Sequence, residues 1–240
     1  KQKTAYEIRN CDWSSDVCSS DLKTEDLRLQ KEIIVALGKI KDERAIPAIK
    51  DLILDASLEL QHDGVRALGE IGSANSLDTL AVLLETGDRS LRFPITEAIG
   101  KIGSSDGQSS LYQLILDGDL EVRQRAVIAL GEIASPDAVS HLLKLVNDPD
   151  KTLRSNVAES LGRIGNQDTI LPLIHFVKDP EDLVSEKAVW GLLQIGTPVV
   201  PHVIEVLEQV PISHRERLVY VLGQTGEVKS IQALLKMLEH

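Results

Sequence analysis

The sequence predicts an all-α chain, a right-handed α-solenoid of about seven helix pairs stacked at a period of 31 residues. Three observations carry this reading. The stretch Ala129-Leu130-Gly131-Glu132-Ile133 recurs as Ala36-Leu37-Gly38-Lys39-Ile40, Ala67-Leu68-Gly69-Glu70-Ile71, Ala98-Ile99-Gly100-Lys101-Ile102 and Ser160-Leu161-Gly162-Arg163-Ile164. Its glycines fall 31 residues apart; the next step lands on Leu193, with Ile195 keeping the isoleucine column, and one step of 30 reaches Gly223. Aromatics make up only 3% of the chain, so the core is Leu, Ile, Val and Ala, which suits close-packed helices.

The first 22 residues stand apart, with neither a helical period nor strand alternation. Residues 1–8 and 12–22 resemble the translated outer and inner ends of a widely used short-read sequencing adapter, with a sample index between them. This tail is set aside as a processing scar and is expected to be disordered or packed adventitiously. With it go Cys11 and Cys18, the only cysteines, and Trp13, which leaves Trp190 as the one tryptophan of the repeats. A disulfide or thiolate metal site is therefore no part of the native design. The repeat domain is residues 23–240, in units of roughly 23–55, 56–86, 87–117, 118–148, 149–179, 180–210 and 211–240.

Within each unit a longer first helix carries the glycine and a second helix follows a short turn. In unit one the first helix ends near Ile40, and unit two repeats it to Ile71. Unit three carries Pro94 in mid-helix, where a kink is expected. Unit four is the clearest: Val122, Ala126, Ala129, Leu130 and Ile133 form an apolar stripe at helical spacing. Ser135-Pro136 is expected to cap its second helix, with Val139, Leu142 and Val146 facing inward; Thr197-Pro198 repeats the device in unit six. Asn147-Asp148-Pro149-Asp150 and Asp179-Pro180-Glu181 open units five and six, with acids near the positive ends of the next helices.

Aligned on the glycine, the units share three apolar columns. Ile33, Gly64, Ile95, Ala126, Val157, Ala188 and Leu218 precede it by five. Ile40, Ile71, Ile102, Ile133, Ile164, Ile195 and Thr225 follow by two, and Ile49, Leu80, Leu111, Leu142, Leu173, Ile204 and Leu234 by eleven. A glycine inside a helix costs roughly 1 kcal/mol against alanine, so its return is a close approach of the next helix. Unit six has Leu193 in the column and Gly191 two residues earlier, which predicts local repacking. Eight residues before the glycine stand Arg92, Arg123, Arg154 and Arg215; twelve before stand Asp26, Asp88, Asp119, Asp150 and Glu181. These read as an inter-repeat ladder of arginines on turn carboxylates and helix-end carbonyls, in preference to an anion-binding row.

The pattern Asp-x-x-Val-Arg-x-x-Ala-x-x-Ala-Leu-Gly-x-Ile, a short turn and an Ala-x-x-x-Leu-Leu helix resembles the HEAT repeats of the phycobilisome-lyase type. Residues 119–146 carry it best, and the resemblance covers 23–240. It implies a superhelix whose second helices line a concave face. It also implies a protein-binding scaffold or, in a minority of the family, attachment or detachment of bilin chromophores. The units diverge more than designed consensus repeats, which together with the adapter favours a natural, metagenomic fragment. Neither end shows a dedicated polar cap, as expected of a piece of a longer array.

The formal net charge of −11 argues against a phosphate-backbone binder, and with it against a DNA-repair helical-repeat enzyme. Residues 188–207 are apolar but contain Gly191, Gly196, Pro198 and Pro201, and read as a buried helix pair rather than a membrane span. None of the six histidines precedes a glutamate, which sets aside an iron hydroxylase of the deoxyhypusine type. His141, His175 and His202 lie on second helices at similar offsets; a polar contact face is favoured over a metal site, which needs three or four ligands in fixed geometry. No catalytic residue, cofactor or metal is expected. The expected contact face comprises Asp78, Thr79, Ser110, Gln113, His141, Lys144, His175, His202 and Lys236. Val203 and Val206 join it if unit six presents an exposed apolar patch, and leave it if its second helix is rotated, as Glu205 and Glu208 in usually apolar columns also allow. The function expected is a non-enzymatic cytoplasmic scaffold gripping a protein on the concave face, with no nucleic acid or membrane partner. Self-association through unit six or the uncapped ends, and a bilin-lyase subunit, are the alternatives.

Overall fold

The computed structural model describes residues 26–238. The expectation for the tail at 1–22 lies outside them. The described chain is α-helical, without a strand: α1 (Leu27–Ile40) and α2 (Ile46–Ile53), α3 (Leu58–Ile71) and α4 (Leu77–Thr86), α5 (Arg92–Ile102) and α6 (Gln108–Leu114), α7 (Leu120–Ile133) and α8 (Val139–Leu142), α9 (Lys151–Ile164) and α10 (Ile170–Phe176), α11 (Asp182–Ile195) and α12 (Val200–Leu207), α13 (Ile212–Thr225) and α14 (Ser230–Leu238). It divides into two compact units within α7, between Ala129 and Leu130. In the first, α3 packs between α1 and α5, with α2 on α3 and α4 on α5; in the second, α11 packs between α9 and α13, with α10 on α11 and α12 on α13.

The aspartates twelve residues before the glycine are helix caps rather than partners of the arginines. Asp26, Asp88, Asp119 and Asp150 accept backbone N–H groups of the turns they precede, Asp150 from Leu153 at 2.7 Å and Asp119 from Glu121 at 2.8 Å. Each satisfies a donor that the helix itself leaves free. The first helices end three residues after the glycine with a left-handed residue, Gly72, Gly103, Gly165 and Gly226, which closes the helix onto the next turn. Lys41 (φ 59°) and Ala134 (φ 54°) hold the same conformation without glycine's freedom.

The capping expected of Ser135 is not made: its side chain accepts no cap bond, and Pro136 begins a 3₁₀ turn in which the lost N–H is harmless. In unit six the cap position is Gly196, not Thr197. Pro94 does not kink a long helix. A 3₁₀ turn, Arg89–Leu91, replaces the first turn, so α5 starts late and Pro94 falls in its first turn, where no i−4 bond is lost.

The columns five before and eleven after the glycine form the core except at the ends of the array and in unit six, where Ile33, Leu234 and Ile204 are half-buried. Ile95, Ala126, Val157, Ala188, Leu218, Leu80, Leu111, Leu142 and Leu173 are all completely buried. The isoleucine column is only half-buried, because it sits at the helix end beside the turn. In unit four Leu145 is the buried residue and Val146 is half-buried. In unit six Val199 and Val203 are buried and Ile204 is not, while Glu205 and Glu208 face solvent. The second helix is therefore rotated and there is no valine patch.

The glycine column is a contact between first helices. A Cβ on Gly38 would lie 2.9 Å from the Cα of Ala67, and one on Gly69 2.9 Å from the Cα of Ala98; on Gly131 it would meet Ser160 and on Gly162 the Cα of Gly191. Gly191 is thus not a displaced register glycine. It takes the small-residue position held elsewhere by Ala67, Ala98 and Ser160, two residues before the column. Gly223 departs from the series, with nothing within 4 Å of a Cβ there.

Candidate partner-binding surface

The two helix layers use their polar side chains differently. First helices are bridged by ion pairs between consecutive units: Lys31 to Glu59 and Asp63, Lys101 to Glu70 at 2.8 Å, Lys187 to Glu159 at 2.6 Å, Lys151 to Glu181 at 3.3 Å, and Arg217 to Asp182. The carboxyls of Glu59, Glu70 and Glu159 are held below the usual glutamate range, first by the hydrogen bond from their lysine. The interspersed charges of the sequence are thus an inter-repeat lattice. Each exposed pair contributes little, and together they fix register.

The arginine ladder is present, with a different acid than expected. Arg154 clamps Asp179 bidentately, Nε to Oδ2 at 2.7 Å and Nη2 to Oδ1 at 3.0 Å, and donates to the carbonyls of Asp148 and Pro149. Arg123 donates to the carbonyls of Asp117 and Gly118, and Arg215 to those of Val210 and Glu208. Gln61 does the same in unit two, to Ile53 and Leu54. Arg92 pairs with Asp117 through Nη1. The acids that serve the ladder, Asp117 and Asp179, lie fourteen residues before the glycine; Asp148 shares their column, but Arg123 is held by carbonyls alone and its Nε is buried without a partner. Each of the three aspartates also accepts the N–H two residues on. Burial raises the Asp179 carboxyl, but the Arg154 and Glu181 hydrogen bonds outweigh it, so its pKa is lowered.

Of the expected contacts, Asp78, Gln113, Lys144, His175 and Lys236 are exposed on second helices, and Ser110, His141 and His202 are half-buried. Thr79 and Val203 are core residues, 1% and 0% exposed, and Val206 is half-buried. The structure removes Thr79 and Val203 from any contact face, because each points into the layer between the helices of its pair. Lys236 pairs with Glu208, and His175 meets the ring of Phe176 edge-on. Gln113 lines a cavity of about 290 Å³ with Arg92, Leu116 and Asp117. Asp78, Ser110, Gln113 and Lys144 make no side-chain hydrogen bond or ion pair among the described residues. Among the described residues no group of three or more His, Asp or Glu side chains could hold a metal ion, so the three histidines form no such site. Among the described residues no single helix is long and apolar enough to cross a membrane; the segments 182–195 and 197–207 pass only as a pair bent by 111°, the stretch read from sequence as a buried pair.

Residues 109–192 and 141–213 match the family of HEAT repeats, and residues 29–55 match the PBS lyase HEAT-like repeat. No curated protein sequence matches the chain. Among solved structures, an engineered protein is 19% identical with a TM-score of 0.61, over 98% of this chain and 74% of that one. Computationally designed armadillo repeat proteins for modular peptide recognition are 20% identical with a TM-score of 0.56, over 74% of this chain and 98% of theirs. The complex of CpcE and CpcF of phycocyanin lyase from a Nostoc species is 16% identical with a TM-score of 0.54, over 98% of this chain and 93% of that one. These likenesses share a helical-repeat solenoid fold.

Proposed function

We propose that this chain, a HEAT-repeat protein with a segment of the PBS lyase HEAT-like type, is a non-enzymatic scaffold that binds a protein through its second helices. The observation that supports this is the unequal use of polar groups. Many first-helix charges are bridged between units, whereas Asp78, Ser110, Gln113 and Lys144 have no partner among the described residues. Rigid layers then present those groups at low ordering cost, which favours affinity. A cytoplasmic location belongs to the same proposal. The test uses the full chain as bait. Asp78→Lys with Lys144→Glu changes the second-helix surface, and Glu97→Lys changes the first. Capture that survives Glu97→Lys and is lost with the pair supports the reading; equal loss, or loss with neither, sinks it.

A second reading, a subunit of a bilin lyase acting on phycobiliproteins, is supported by the match at residues 29–55 and by the likeness to the phycocyanin-lyase complex. Mixing the chain with an open-chain tetrapyrrole tests it: an altered visible absorbance keeps the reading, and an unchanged spectrum removes it.

A further inference from the structure

We propose that the first-helix surface of units six and seven is a separate docking site, which takes a basic peptide segment with arginines or lysines three residues apart. Three residues before the glycine register stand Arg66, Glu97 and Glu159 in units two, three and five and the half-buried Val35 and Ile128 in units one and four, but the exposed aromatics Trp190 and Tyr220 in units six and seven. Ten before, where other units carry Arg28, Glu59, Ser90, Glu121 and Thr152, unit six has Leu183. Leu183, Trp190 and Tyr220 are 49%, 38% and 53% exposed, large apolar groups on a face that elsewhere carries ion pairs. One turn before each aromatic, on the same helix face, is a carboxylate, Glu186 and Glu216. Both are exposed and neither is paired with a cation among the described residues, since the adjacent Lys187 and Arg217 are committed to Glu159 and Asp182.

Helices α11 and α13 pack against each other, so the two acid-aromatic pairs lie side by side at the usual interhelical spacing of about 8 to 10 Å. In a polyproline II segment, residues i and i+3 share one face about 9 Å apart. A guanidinium at each position stacks on an aromatic face while donating to the carboxylate beside it. A second copy laid symmetrically here would set like carboxylates against each other, which charge complementarity disfavours. The site lies on first helices, whereas the scaffold reading concerns second helices, and it stands or falls separately from that reading.

The test titrates the full chain carrying Trp13→Phe, so that Trp190 alone emits, with the peptide acetyl-Gly-Arg-Pro-Pro-Arg-Gly-amide at low salt. The expected result is a saturable change in emission, weakened at least about tenfold by Glu186→Lys with Glu216→Lys and by Tyr220→Ser. Added salt weakens it too, and Lys144→Glu leaves it unchanged. Circular dichroism shows that each variant keeps its helices, and the exposed Tyr220 and Glu216 avoid disturbing the packing of Trp190 on Gly162. No saturable change, equal affinity for the peptide with glutamates in place of arginines, or binding unaffected by the variants overturns the proposal. So does light scattering that shows a dimer undone by Tyr220→Ser, which assigns the surface to a second copy.

Discussion

At the scale of the residue, small side chains are where this fold is least tolerant. A Cβ on Gly69 would sit 2.9 Å from the backbone of Ala98, so Gly69→Leu should cost about 3 kcal/mol or more in thermal or denaturant unfolding. Gly223→Ala, with nothing within 4 Å, should instead stabilise by about 0.5 to 1 kcal/mol through helix propensity. Opposite signs at two positions of one sequence column are the check. Ala134 holds φ 54° where all other units but the first have glycine, and Ala134→Gly should stabilise by about 1 kcal/mol. The Arg154–Asp179 clamp, with side chains 13% and 9% exposed, is the buried ion pair of the ladder. Asp179→Ala leaves a guanidinium short of its partner and should cost about 3 kcal/mol at neutral pH. Because the folded pKa of Asp179 is depressed from 3.8, its contribution is present above that value and is lost as pH falls below it. Acid unfolding of Asp179→Asn should therefore be flatter below about pH 4 than that of the parent chain. An identical acid limb in both would contradict the assignment.

At the scale of the element, the 31-residue period told where helices are, and the structure tells how each is started. The glycine column and the columns at five before and eleven after were legible because an inward position tolerates few side chains, and so recurs. The half-buried isoleucine column was over-read as core: an apolar recurrence does not distinguish a helix interior from a helix end. The rotation of α12 was left open because valines and glutamates exchange columns together, and only burial decides between rotation and a patch. The acid column at Asp117, Asp148 and Asp179 is equally periodic, but it runs two residues ahead of the cap column at Asp119, Asp150 and Glu181, and recurrence alone does not tell a cap from a clamp. Two polar residues break the core pattern where the second helices open. Gln108 opens α6 and Ser230 opens α14, where the other units have Ile46, Leu77, Val139, Ile170 and Val200; Gln108 accepts from Tyr112 Oη at 2.6 Å, and its Nε2 is buried without a partner. Replacing both groups, Gln108→Leu with Tyr112→Phe, should stabilise by about 1 kcal/mol, whereas Tyr112→Phe alone should destabilise. Equilibrium unfolding of the single and double variants separates the two effects.

At the scale of the whole molecule, the proposal is that ion pairs bridge consecutive first helices while the second helices receive a protein partner. Of the contact face read from sequence, the exposed members remain a proposal, while Thr79 and Val203 drop out because they are buried, and alternation along a second helix cannot tell a surface threonine from a buried one. The partner-facing role of the second helices is the central claim, and amide hydrogen exchange on the chain with and without its captured partner tests it most directly. The account predicts slowed exchange confined to α4, α6 and α10, with the first-helix cores at residues 65–68, 95–99 and 157–161 protected to the same degree in both samples. Protection that appears instead along α3, α5 and α9, with the second helices unchanged, would contradict it.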